Sequence, residues 1–390
     1  MVAVVAPAVA ANFPNRYLQL NGWLKSLGIA AAFDVSFGAE LTVKSYLHHI
    51  RTENPTMVIA QPCPTLVTFI EVYRPQLLPL LAPADSPMAH VMKMIRNYYP
   101  QYRNHRLAVI SPCLSKRREF NDIGIGEYNV TMKALAEYIE NEGIDLSRFP
   151  KVDYENPPAE RAVLFSSPGG LMRTVERYLP DVSEVTRKIE GQPGIYHYLA
   201  HMSEALQNKS ASTPLLVDCL NCEMGCNGGP GTDNREKHPD VVEGAVERRA
   251  VEMRNKYAPK GEPVSRLGKK RRLRKIEAFL QKYWSAALYH RDYQDRSANM
   301  KTALREPSES ELEEVYRKTH KYKPEDFLNC GSCGYKRAPN TYSRTSMKPK
   351  TLLSCHSTCR LRFPNRRRPL KKWFPRSIRS PKFCRPMRHR

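Results

Sequence analysis

Cys222 and Cys226 sit in the stretch Asp218-Cys219-Leu220-Asn221-Cys222-Glu223-Met224-Gly225-Cys226-Asn227-Gly228-Gly229-Pro230-Gly231, where fourteen positions hold three cysteines and four glycines. Thiolates are soft ligands that suit iron and iron–sulfur clusters. Glycines let the backbone approach a bulky inorganic object and turn amide donors toward its sulfides. The Cys-x-x-x-Cys spacing is loose. By itself it fits two buried structural cysteines in a turn as well as it fits a cluster.

Positioning such thiols needs a rigid frame, and the apolar run Pro214-Leu215-Leu216-Val217 just before them reads as a buried strand. The same plan recurs. Met57-Val58-Ile59-Ala60 runs into Gln61-Pro62-Cys63-Pro64, and Leu107-Ala108-Val109-Ile110 into Ser111-Pro112-Cys113-Leu114-Ser115-Lys116. Val2-Ala3-Val4-Val5 runs into Ala6-Pro7-Ala8, and Ala162-Val163-Leu164-Phe165 into Ser166-Ser167-Pro168-Gly169-Gly170. Helical spacing lies between: Tyr17, Leu18, Leu20, Trp23 and Leu24 closed by Gly28, and Met132, Leu135, Ala136 and Ile139 stopped by Gly143. From Phe33 to Val43 a loop containing Phe37-Gly38-Ala39-Glu40-Leu41 leads into a helix through Ile50. Short strands alternating with helices predict an α/β fold of mostly parallel sheets flanked by helices, with sites at the carboxyl ends of strands. Cys63, Cys113, Cys222 and Cys226 all lie just past such ends and are expected to converge on one cleft.

The chain has 390 residues, 41% of them hydrophobic, enough for two or three domains and a sizeable core. Its ten cysteines fall in short-spaced groups that suit metal in a reducing compartment better than a secreted disulfide framework. Met1 to Ala11 is apolar but lacks a basic leader and is broken by Pro7, so it reads as a strand and turn, not a signal peptide. No run approaches a membrane span, and a soluble cytoplasmic protein is the expectation.

The net charge of +23 belongs mainly to one end. Residues 336–390 carry 18 Lys and Arg and no Asp or Glu, leaving 44 basic against 39 acidic residues before them. The composition divides the chain into a globular domain that holds the cysteine loops at 1–232, a charged helical extension at 233–325, a Cys-x-x-Cys segment at 326–338 holding Cys330 and Cys333, and a basic low-complexity tail at 339–390. The extension includes the basic run Arg266 to Lys275, a solvated helix face or a docking face for an acidic partner. The tail has no periodicity and predicts disorder. It could bind phosphate, but no element that reads bases accompanies it, so nucleic acid is not the expected partner. Its abrupt lack of acids also fits a shifted reading frame.

With the four cysteines in hand, the chain resembles the catalytic domain of the iron-iron (FeFe) hydrogenases over residues 2–231. The resemblance is carried by Cys63-Pro64, by Pro112-Cys113-Leu114-Ser115-Lys116-Arg117-Arg118-Glu119, and by Cys222 to Cys226 with Gly228-Gly229. Ala6-Pro7, Phe37 to Leu41, Ser86-Pro87 and Gly169-Gly170 fall between them in order. It implies that Cys63, Cys113, Cys222 and Cys226 ligate a 4Fe-4S cubane, with Cys226 bridging to a two-iron unit bearing carbonyl and cyanide. Lys116 would donate to a cyanide, against the plainer reading of a surface lysine; Glu119 would belong to a proton path; and Ala6, Pro7, Ser86, Gly169 and Gly170 would line the cofactor. It further implies reaction with dihydrogen and protons, a ferredoxin-like electron-transfer partner or subunit, and maturation proteins.

Departures from the family pattern are concentrated in proton transfer. The proton-handling cysteine before the first ligand is Pro62, two acidic relay positions fall on Tyr46 and His49, and a relay serine falls near Ala82. A cyanide-contacting serine is Ala8, and two methionines correspond to Ser111 and Leu220. Such losses resemble the sensory or divergent branch, which carries a Cys-Gly-x-Cys-Gly-Tyr cluster motif further on. Here that motif begins at Cys330 and Cys333, but Ala338 stands where its third cysteine belongs, which weakens the expectation of a second 4Fe-4S cluster. The alternative is a non-catalytic iron–sulfur assembly or scaffold relative, whose extra amino-terminal cysteines have no counterpart before Cys63.

Overall fold

The computed structural model describes residues 1–207, 213–257, 266–300, 308–318, 321–323 and 326. In chain order the strands are β1 (Val2–Val5), β2 (Ala31–Asp34), β3 (Val58–Ile59), β4 (Leu107–Ser111), β5 (Tyr128–Thr131), β6 (Thr186–Glu190) and β7 (Leu216–Leu220). Between them run α1 (Val9–Asn12), α2 (Tyr17–Ser26), α3 (Val35–Glu53), α4 (Pro64–Tyr73), α5 (Pro87–Tyr98), α6 (Lys116–Ile123), α7 (Met132–Asn141), α8 (Gly170–Val175) and α9 (Gly194–Gln207). After β7 follow α10 (Pro239–Tyr257), α11 (Arg266–Tyr283), α12 (Ala286–Tyr289) and α13 (Glu309–Lys318).

Every strand pairing between these elements is parallel. One sheet runs β2-β1-β4-β5 and the other β3-β7-β6. The central strands β1, β4 and β7 are buried along their whole length, which is why they read as unbroken apolar runs with no alternation. Because all strands of a sheet point the same way, Ala6-Pro7, Pro112-Cys113 and, from the second sheet, Pro62-Cys63 and Asn221-Cys222 leave at carboxyl ends.

One expected strand is absent. Ala162–Ser166 forms a 3-10 turn, although its apolar residues are buried as expected. Glu40 decides this. Its Oε1 accepts the backbone N–H groups of Glu160 (2.9 Å), Arg161 (3.0 Å) and Ala162 (3.1 Å), an arrangement only a tight turn can present. Burial alone would push the Glu40 carboxyl up; Arg177 and these amides hold it below its ordinary value. Gly38 and Glu40 also lie inside α3, not in the loop expected there. Asp34 caps that helix early, its carboxylate accepting Ser36 N–H at 2.8 Å. Gly38 lets α5 close in, since a Cβ there would sit 2.2 Å from Pro87 O.

Helices α10, α11 and α12 are packed into the same cores as the sheets. Tyr257, Ile276, Leu280, Tyr283 and Tyr289 join the core around the first sheet, and Val242, Val246, Ala250 and Met253 join a second core beside α3 and α8. Arg249 of α10 forms a buried ion pair with Asp34 at 2.6 Å. In the basic run of α11, Arg272 turns inward to Glu160 at 3.6 Å.

On β7, Asp218 is buried and its Oδ2 accepts Met172 N–H at 3.0 Å. Burial, reinforced by Glu190, pushes its carboxyl up to about 6. An acid whose folded value lies above its unfolded value keeps its proton longer in the folded state, so its stabilising share is complete at low pH and is lost as pH rises through about 6. Asp218→Asn keeps the acceptor and removes the titration. Relative to the parent, the variant should gain about 2 kcal/mol between about pH 4 and about pH 7 in urea denaturation. A constant difference across that window would refute the assignment.

Candidate metal centre

The strand ends enclose a cavity of about 820 Å³, counted with its open mouth. Cys63, Cys113, Cys222 and Cys226 all line it. So do Ala6 and Pro7 after β1, Pro62, Pro87 at the start of α5, Lys116 at the start of α6, and Phe165 and Ser166 from the turn before α8. Thiols separated by up to 163 positions in sequence therefore share one enclosure, as their placement after strands implied.

Local hydrogen bonds hold each cysteine loop. The Ser111 hydroxyl donates to Asn129 Oδ1 at 2.8 Å and accepts Cys113 N–H at 3.3 Å, while Asn129 Nδ2 donates to Cys113 O at 2.8 Å. Thr65 and Ser115 share a hydrogen bond of 2.8 Å that ties the Cys63 loop to the Cys113 loop. Gly231 N–H donates to Pro112 O at 2.9 Å, binding the third loop to the second. Gly225 takes φ +61 and its α-carbon faces Ser166 O, where a Cβ would lie at 2.4 Å. Only glycine fits that step between Cys222 and Cys226.

All four cysteines are free thiols. Burial, then the Cys63 sulfur, pushes the Cys113 thiol up to about 11; burial with Cys63 and Cys113 pushes Cys222 up to about 12. Cys226 is raised well above its ordinary value by burial and by the other three. The thiols thus sense one another across the cavity. Among the described residues, no three His, Cys, Asp or Glu side chains are close enough to hold one metal ion. A single ion draws thiolates to about 2.3 Å, which crowds them together. Four thiols lining one cavity are the donor set that iron–sulfur clusters take.

Lys116 is 8% exposed, which removes the surface-lysine reading. Its ammonium spends three donors inside the protein: on Pro62 O at 3.0 Å, Ser86 Oγ at 2.9 Å and Glu119 Oε2 at 2.6 Å. The anion that makes its burial tolerable is therefore Glu119. Glu119 in turn pairs through Oε1 with Arg291, at 3.1 Å, in the segment after α12. Burial would raise Glu119, but Lys116 and Arg291 hold it below its ordinary value.

Ser86, Gly169 and Gly170 are not on the cavity wall. Ser86 caps α5 just behind it, accepting Ala89 N–H at 3.3 Å, and Gly169 and Gly170 stand behind Phe165 and Ser166 at the start of α8. Ala8, Ser111 and Leu220 do face the cavity. Tyr46 is fully buried and donates to Gln61 Oε1 at 2.8 Å; Ala82 is buried without a hydroxyl. Cys330 and Cys333, Ala338 and the tail lie outside the described residues. Sequence reasoning missed Asn129, Asn221 and Arg291. Of these only Asn221, adjacent to Cys222, carried any signal in the sequence.

The family model described as "Iron only hydrogenase large subunit, C-terminal domain" matches residues 1–230. Iron hydrogenase 1 of Clostridium pasteurianum is 27% identical over 214 residues, covering 47% of this chain and 37% of its own. The nuclear prelamin A recognition factor of Mus musculus is 26% identical over 117 residues, covering 26% of this chain and 25% of its own. The chain thus spans well under half the length of either relative. A solved FeFe hydrogenase, described for oxygen inactivation through damage to its H cluster 2Fe subcluster, superposes with TM-score 0.55 at 17% identity, over 75% of this chain and 94% of its own. A variant of HydA1 from Chlamydomonas reinhardtii gives TM-score 0.53 at 18% identity over the same shares. These superpositions establish the shared fold. No helix among the described residues is long and apolar enough to cross a membrane.

Proposed function

The chain belongs to the iron-only hydrogenase family, through the C-terminal domain of the large subunit, and from that premise we propose that it is an iron–sulfur protein that turns over or senses dihydrogen. Cys63, Cys113, Cys222 and Cys226 would hold a 4Fe-4S cubane, and Cys226 would join it to a two-iron unit. The single observation that carries the reading is the meeting of these four thiols on one cavity wall. When bound, the group supplies the reversible splitting of dihydrogen into protons and electrons.

The chain's own residues shape what that chemistry could become. Ala6, Pro7, Val35, Met88 and Phe165 keep the cavity apolar, which excludes water and strengthens any charge interaction inside it. Lys116 supplies a cation at the wall; to serve an anionic occupant it would exchange its Pro62 carbonyl contact and keep Glu119. Proton movement would pass through Lys116 and Glu119, because Pro62 and Ala82 have no titratable group and the Tyr46 hydroxyl is spent on Gln61. A chain so short of relay groups suits slow turnover or sensing. Electrons would come from a ferredoxin-like protein or a partner subunit, maturation proteins would install the two-iron unit, and the cytoplasm would be the site of action. A second cluster at Cys330 and Cys333 is not part of the proposal, since Ala338 supplies no thiol.

The shortage of relay groups also favours a second reading, a scaffold that keeps the cubane without the two-iron unit. Anaerobic expression of the full chain with hydrogenase maturation proteins, followed by infrared spectroscopy, separates them. Bands of iron-bound carbonyl and cyanide are expected. A cubane seen by electron paramagnetic resonance without such bands supports the scaffold, and absence of both overturns both readings.

A further inference from the structure

Asn221 stands between the last residue of β7 and Cys222, 5% exposed. Two donors converge on its carbonyl end: Tyr196 Oη at 2.5 Å and Gln192 Nε2 at 3.0 Å. A carboxamide has one accepting and one donating end. In this arrangement the amide oxygen takes both hydrogen bonds, which leaves the NH₂ end for Cys222. The NH₂ end is left pointing at Cys222, with Nδ2 3.6 Å from Sγ.

The orienting groups are themselves held. Tyr196 is buried on α9 in the third apolar core, and its ring meets Phe69 of α4 edge-on at 4.8 Å. Gln192 lies just before α9. The donor aimed at Cys222 therefore sits directly after β7 and is oriented from α9 and the residues just before it, and neither Tyr196 nor Gln192 lies on the cysteine motifs.

Hydrogen bonds to cluster sulfurs help set the potential of iron–sulfur centres. An N–H donor spreads the negative charge of a thiolate and so favours the more reduced, more negative state. We propose that Asn221 tunes the cubane held by Cys222 to a higher reduction potential, with Tyr196 and Gln192 as the residues that position its amide. This rests on the functional reading above in one respect, that Cys222 is a cubane ligand. What it adds is a built-in setting of the electron affinity of that centre, positioned by two residues outside the cysteine motifs.

The test uses the full chain reconstituted anaerobically with ferrous iron and sulfide alone, and reads the midpoint potential by redox titration followed by electron paramagnetic resonance. Asn221→Ala should shift the midpoint to more negative values while the cubane signal persists. Tyr196→Phe, which leaves Asn221 and every thiol in place, should shift it the same way by less. Equal midpoints for parent and Asn221→Ala overturn the inference and leave the functional reading standing. Should Asn221→Ala assemble no cluster, Tyr196→Phe decides alone, and an unshifted midpoint overturns the inference. A parent that assembles no cubane overturns the functional reading itself and the tuning role with it.

Discussion

Cys226→Ala is expected to emerge from anaerobic reconstitution with most of the parent's iron and sulfide missing, while Cys219→Ala loads as the parent does. The two cysteines are seven positions apart on one strand and loop, yet their surroundings differ in kind. Cys226 lines the cavity beside Cys63, Cys113 and Cys222. Cys219 is 1% exposed in the third core, donates to Ala60 O at 3.5 Å and is absent from the cavity wall. Nothing else on that wall replaces a lost thiolate. Ser111, Ser166 and Asn221 offer hard oxygen atoms, and the thioether of Met88 is neutral, whereas iron–sulfur clusters are held by thiolates. Cys63→Ala, Cys113→Ala and Cys222→Ala should fail in the same way. Iron and labile sulfide analysis with visible absorption reads all five variants. Full loading of Cys226→Ala, or an equal loss in Cys219→Ala, would show that the shared cavity is not the reason for the binding.

That contrast shows what in the chain was legible. The meeting of the four cysteines could be foreseen because each follows a strand buried on both faces, and such strands print as short apolar runs. The three strands that the runs did not reveal, β2, β5 and β6, are all sheet edges. β6, Thr186-Arg187-Lys188-Ile189-Glu190, is largely exposed, so its sequence obeys solvent more than the sheet. Ala162 to Phe165 erred the other way. Its apolar residues reported burial correctly, but burial has no period in four residues, and the choice between strand and turn was made by Glu40, far off in α3. The site divides along the same line. Thiols announced themselves by type and spacing; Ser86 at the cap of α5 holds Lys116, Arg291 after α12 holds Glu119 and Tyr196 of α9 holds Asn221, and no local pattern links them.

Arg249 joins the segment beyond the matched domain to the wall of the cavity, and Arg249→Met should destabilise the fold by about 3–5 kcal/mol. Arg249 and Asp34 are each 2% exposed at the side chain, so the pair is shielded from solvent. The guanidinium also donates to Pro7 O at 3.3 Å and lies over the rings of Tyr17 and Tyr154 at 4.8 and 5.8 Å. Methionine fills much of the same volume but leaves the Asp34 Oδ2 charge buried without its cation, and that uncompensated charge is the main cost. Against a native stability of about 5–15 kcal/mol the loss is large. The companion change tests the cause. Asp34→Asn retains an oxygen able to accept Ser36 N–H and so keeps the cap of α3, and combined with Arg249→Met it removes the orphan charge. The double variant should therefore recover more than half of the single variant's loss in urea denaturation followed by circular dichroism. A double variant no more stable than Arg249→Met would place the cost in lost packing over Tyr17 and Tyr154, and a single variant within about 1 kcal/mol of the parent would remove the ion pair from the forces that hold α10 to Pro7.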